Sequence, residues 1–127
     1  MPSKAADRRP RILVVDDEPG IREVIARVLQ AEGFEVVVVN DGRAGLVAVQ
    51  EAEAPYDLVI TNSYMPHLSG EQLIQQLSQQ FPDLPVLHLD DVTYPTTSPD
   101  FPPVPTLYKP FRLSDLCEEV RRLLGRT

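Results

Sequence analysis

Five short apolar runs alternate with helical patterns, and this alternation constrains the chain more than any other feature. Residues 12–15 read Ile-Leu-Val-Val, and further runs lie at 34–39, 57–61, 85–89 and 106–108. The runs are continuous rather than alternating apolar and polar, as expected for strands covered on both faces. Between them Ile21, Val24, Ile25, Val28 and Leu29 recur at helical spacing, and Gly33 stops that helix. Asn40-Asp41-Gly42 reads as a turn, followed by a helix over 43–53 that Pro55 ends. Gly70 to Phe81 is a third helix, with Leu73, Ile74 and Leu77 inward and glutamines outward. A last helix over 113–124 carries Leu113, Leu116, Cys117, Val120 and Leu124 on one stripe. Repeated βα units predict a doubly wound α/β fold with a parallel sheet and right-handed crossovers.

The rhythm breaks once. Pro95, Pro99, Pro102, Pro103 and Pro105 fall between the fourth and fifth strand signals. Each proline lacks a backbone donor, at a cost of about 3 kcal/mol inside a helix. This segment is expected to be an extended loop.

Composition narrows the function classes. The chain has 127 residues, enough for one domain. Residues 1–10 are expected to be a flexible basic tail and 11–127 the folded domain. The net charge is −7 although Lys4, Arg8, Arg9 and Arg11 crowd the start, so the body is more acidic still. An acidic body argues against direct nucleic-acid binding, which needs clustered Lys and Arg. No apolar run reaches the roughly 20 residues of a membrane span, and the polar start is no signal peptide. A single cysteine, Cys117, excludes an internal disulfide and suits a reducing cytoplasm. On the apolar stripe of the last helix it is expected to be core.

In such a sheet, chemistry gathers at the carboxyl ends of the strands. Those ends carry Asp16-Asp17, Asn62, Asp90 and Lys109, with Met65-Pro66 after the third strand and Lys109-Pro110-Phe111 after the fifth. An acidic pair, a strand-end residue four before a proline, and a Lys-Pro together resemble the receiver domain of two-component response regulators. The resemblance covers residues 11–125. It implies a flavodoxin-like five-stranded sheet of order 2-1-3-4-5, with the family's usual fourth helix falling where the Pro-rich segment lies. That helix is expected to be replaced by a loop.

In that family the strand-end residue is an aspartate that accepts a phosphoryl group. Here it is Asn62, whose neutral amide is a poor nucleophile and lacks the charge that binds metal. By resemblance Asp16, Asp17 and the backbone carbonyl of Tyr64 are the candidate Mg²⁺ ligands, and Lys109 is the partner of phosphoryl oxygens. Asp90 stands where a Thr or Ser is expected, and Thr106 where a switch aromatic is expected. Three departures imply a degenerate receiver, a pseudo-receiver that requires no cofactor and holds Mg²⁺ weakly if at all. Asp90 is expected either to reach Lys109 and lock it, or to rebuild a metal site with Asp16 and Asp17, or to be a solvated loop-start residue.

Two histidines complete the inventory. His88, mid-strand, is expected to be partly wet under a loop, and His67 a surface residue. Tyr94, Phe101 and Tyr108, set among the prolines, are a candidate interaction surface. The expected function is a cytoplasmic protein-interaction module rather than an enzyme. Its expected partner is a sensor kinase or downstream effector, with a second copy of the chain as a further candidate and neither nucleic acid nor membrane involved. The alternatives are a phosphorylation-regulated receiver with an engineered or unusual acceptor and, more remotely, a small metal-dependent phosphohydrolase.

Overall fold

Each apolar run forms a strand, and each helical pattern a helix. The structure is a computed structural model that describes residues 9–65, 67–91 and 102–126. The elements are β1 (Arg11–Val15), α1 (Pro19–Ala31), β2 (Glu35–Val39), α2 (Gly42–Gln50), β3 (Leu58–Asn62), α3 (Gly70–Gln80), β4 (Val86–Asp91), β5 (Thr106–Lys109) and α4 (Leu113–Leu123). The five strands form one parallel sheet in the order β2-β1-β3-β4-β5. This is the order that the resemblance implied. The tail at residues 1–8, the segment 92–101 expected to replace a helix, and Tyr94 and Phe101 within it lie outside the described residues. Among the described residues no helix is long and apolar enough to cross a membrane.

The pleat explains why the runs are continuous. Ile12 and Val14 of β1, Leu58 and Ile60 of β3, and Leu87 and Leu89 of β4 face one way. They pack with Ile25 and Leu29 of α1 and Leu116, Cys117 and Val120 of α4. The intervening Leu13, Val15, Val59 and Val86 face the other way, against Val49 of α2 and Leu73, Ile74 and Leu77 of α3. Leu73, Ile74 and Leu77 are fully buried, each contributing about 2 kcal/mol of apolar burial. Cys117 is core, as expected, and burial pushes its thiol pKa up, which makes it a poor thiolate.

Three local features position the strand ends. Helix α2 begins where a turn was expected, because Asp41 Oδ1 accepts the Ala44 N–H at 2.7 Å and caps it. Helix α3 opens with a capping box. Ser69 Oγ accepts from Gln72 N at 3.1 Å, and Gln72 Oε1 accepts from Ser69 N at 3.0 Å. Its first residue, Gly70, lies flat on the end of β3. A Cβ there would sit 1.8 Å from the Asn62 carbonyl oxygen, so only glycine fits. The Gly70 N–H also donates to Ser63 O at 2.8 Å, which closes the loop after β3 tightly over the sheet.

Candidate functional site: a carboxamide at the strand ends

Strands β1, β3 and β5 bring Asp16, Asp17, Asn62 and Lys109 together. Lys109 Nζ donates to Asn62 Oδ1 at 2.7 Å. An ammonium has no acceptor, so the atom facing it must be the amide oxygen, and this fixes the orientation of the carboxamide. The Nδ2 end then points the other way. It donates long hydrogen bonds to Asp17 Oδ1 and to the Tyr64 carbonyl, each at 3.4 Å. The backbone turn that brings Tyr64 O back to Asn62 is the one held by Gly70 and Ser63.

Asp16 is the buried member of the acidic pair, at 1 % exposure, while Asp17 is exposed. Asp16 Oδ1 accepts from Glu18 N at 2.9 Å. Its Oδ2 has no hydrogen-bond partner and is the one such buried side-chain atom among the described residues. Burial, the largest influence, pushes the Asp16 pKa above its ordinary 3.8, while the Glu18 N–H and Lys109 pull it down.

Fit to a hard divalent ion can be tested on these contacts. Asp16 Oδ2 is available, but Asp17 Oδ1 and Tyr64 O both face the N–H donors of Asn62, and the amide oxygen is taken by Lys109. Among the described residues no three His, Cys, Asp or Glu side chains gather as metal ligands. As arranged, the residues do not fit Mg²⁺, which demands near-ideal octahedral oxygen coordination. Asp90, expected as a candidate third carboxylate beside Asp16 and Asp17, forms no such group with them among the described residues.

Asp90 is placed differently from expectation in a second respect. Strand β4 runs to Asp91, so Asp90 is a sheet residue at 2 % exposure rather than a solvated loop start. Its Oδ1 accepts from Ser63 Oγ at 2.7 Å and from Asp91 N at 2.9 Å. No Asp90–Lys109 ion pair occurs among the described residues, where the ion pairs are Arg11–Glu35, Arg121–Glu32 and Arg122–Glu119. In the β4–β5 register Lys109 stands opposite Asp91, and Asp90 opposite Tyr108. Lys109 is held by Asn62 instead.

Ser63 is the residue that sequence reasoning missed. Its buried hydroxyl lies 2.6 Å from His88 Nε2, besides its bond to Asp90 and a 3.2 Å approach to Leu89 O. A hydroxyl has one proton to give, and the Asp90 carboxylate is the strongest acceptor present. His88 must then donate through Nε2, giving a relay from His88 through Ser63 to Asp90. His88 is 1 % exposed, not partly wet. Burial pushes its pKa down from 6.5, although Asp90 and Glu71 pull it up. The signal was present in the alternation of β4: His88 and Asp90 share the face of Val86.

The remaining candidates are ordinary. Thr106 Oγ1 donates to Val104 O at 3.1 Å and is half-buried on β5. Tyr108 is 49 % exposed on the outer strand. His67 is exposed, with a left-handed φ of 71° in the loop after β3. Beside the site, an apolar groove of about 770 Å³ runs between α1 and the turn after β5, lined by Ile21, Val24, Pro110, Phe111 and Leu113.

A doubly wound parallel sheet with an acidic pair after β1 and a lysine at the end of β5 defines a receiver-type signalling fold. Comparison with known proteins agrees. The chain belongs to the response regulator receiver domain family, whose model matches residues 12–121. Response regulator MprA of Mycolicibacterium vanbaalenii is 38% identical over 120 residues, covering 92% of this chain and 51% of that protein. The chain thus spans about half the length of that relative. The receiver domain of the hybrid histidine kinase CckA superposes with a TM-score of 0.75 at 32% identity, over 90% of this chain and 98% of that one. Chemotaxis response regulator CheY4 of Vibrio cholerae superposes with a TM-score of 0.79 at 28% identity, over 92% of this chain and all of that one (100%).

Proposed function

We propose that this chain is a receiver-fold interaction module of a two-component system that works without aspartyl phosphorylation. The observation that carries this reading is the carboxamide of Asn62 at the acceptor position, hydrogen-bonded to Lys109 through its oxygen and directed at Asp17 through its nitrogen. An amide offers neither the charge nor the nucleophilic lone pair that attack on a phosphorus atom requires. The lysine that would meet a phosphoryl group already has a partner. Asp90, in place of a switch hydroxyl, is engaged by Ser63. The site is built to hold one arrangement rather than to alternate between two.

The proposed partner is another signalling protein, a sensor kinase or a downstream effector, with self-association as a further mode. The apolar groove beside the site and the exposed ring of Tyr108 offer contact surface for it. On this reading the module acts in the cytoplasm, catalyses no reaction and requires no cofactor, any Mg²⁺ at the acidic pair being weakly held.

The test is intact mass after incubation with a small acyl phosphate and Mg²⁺. The wild type is expected to gain no phosphoryl group, and Asn62→Asp to gain one. Uptake by the wild type would overturn the reading and point to another acceptor.

A further inference from the structure

We propose that the amide nitrogen of Asn62 takes the position of a divalent cation, so that the wild-type site excludes Mg²⁺ by occupancy and not merely by lack of charge. The proposal deepens the function given above and rests on it for the role of position 62. Three contacts carry it. Nδ2 faces Asp17 Oδ1 and Tyr64 O, each at 3.4 Å, and these are oxygens that a hard cation would need. Oδ1 faces Lys109 Nζ at 2.7 Å, which prevents the amide from rotating to present its oxygen instead. A flipped amide would set N–H donors against an ammonium, which has only donors of its own.

The side chain therefore does in neutral form what a cation does between these groups. Its positive N–H edge lies against the carboxylate and the carbonyl, and its negative oxygen against the lysine. Asp16 Oδ2, without a hydrogen-bond partner, is the oxygen this arrangement does not serve. A cation entering there would have to displace the amide from Asp17 and Tyr64, and it would meet the N–H dipole with its positive end toward it.

Occupancy and missing charge make different predictions for two variants. Asn62→Asp removes the donor and adds a carboxylate. Asn62→Ala removes the donor and adds nothing. Mn²⁺ binding to each purified protein, read by loss of the free-ion electron paramagnetic resonance signal, is expected to rank Asn62→Asp first, Asn62→Ala second and the wild type last. A step of about tenfold between the alanine variant and the wild type is expected, on the scale of one charge-assisted contact. Mg²⁺ should raise the Tm of Asn62→Asp and leave the wild type unmoved. Equal Mn²⁺ affinity of Asn62→Ala and the wild type would overturn the proposal, because charge alone would then explain weak binding. Tight Mn²⁺ binding by the wild type would also overturn it. If the wild type bound Mn²⁺ yet still gained no phosphoryl mass, the proposed function would stand while this inference fell.

Discussion

Ser63 Oγ lies 2.6 Å from His88 Nε2, and this short contact joins the end of β3 to the middle of β4 inside the sheet. The same oxygen bonds Asp90 at 2.7 Å, so one small hydroxyl holds two buried polar groups. Buried networks of this kind stabilise when every member is satisfied and weaken a fold when one is removed.

Ser63→Ala takes the shared hydroxyl away from both His88 and Asp90. We expect a loss of about 1 to 3 kcal/mol in unfolding free energy, the usual cost of stripping a buried polar group of a partner. Urea denaturation followed by circular dichroism measures it. Unchanged stability would mean that the relay contributes nothing.

The buried imidazole also sets a pH dependence. Burial lowers the folded pKa of His88 below 6.5. In the unfolded chain the ring gains its proton as pH drops through about 6.5, while the folded ring stays neutral until lower pH. Stability is therefore fully present above that value and declines as pH falls below it, until the folded ring protonates too. His88→Gln should flatten this part of a Tm profile recorded from pH 8 downward. A parallel slope in the variant would assign the dependence elsewhere.

Asp16 should behave in the opposite sense. Its folded pKa is raised, so the buried charge weakens the fold at neutral pH and the penalty disappears once the carboxyl is protonated. Asp16→Asn is expected to stabilise the protein by about 1 kcal/mol at pH 7, a common gain when an unfavourably buried site residue is replaced. The gain should shrink in acid. A destabilised variant at pH 7 would show that the carboxylate is better satisfied than its orphaned oxygen implies.

Two glycines separate close approach from mere flexibility. Gly70→Ala would drive a Cβ into the Asn62 carbonyl, at a cost of about 3 kcal/mol or more. Gly20, in the first turn of α1, has nothing within 4 Å of the same atom. Gly20→Ala should be neutral or stabilising by up to about 1 kcal/mol. Thermal unfolding of both variants distinguishes the sites, and similar Tm values would contradict the crowding at Gly70.

Particular residues show how much could be read from the sequence. Ile12 to Val15 and Leu58 to Ile60 announced strands buried on both sides, because apolar residues on both pleat faces leave no other arrangement. Asp16, Asp17, Asn62 and Lys109 were legible because parallel strands deliver their carboxyl ends to one edge. Partnership was not legible. Which neighbour Lys109 takes depends on strand register and on length, and β4 ends two residues beyond its apolar run. That extension carried Asp90 into the sheet and toward Ser63. Ser63 itself was not legible, because nothing local distinguishes a buried hydroxyl from a wet one.

Asn62 and Ser63 are neighbours in the chain, yet their side chains serve opposite layers. One reaches Lys109 above the α1 and α4 side, and the other reaches His88 and Asp90 on the side of α2 and α3. The single peptide between them crosses from one face of the sheet to the other, as successive strand residues must. A substitution at position 62 is therefore felt first in the layer of α1 and α4, and one at position 63 in the layer of α2 and α3.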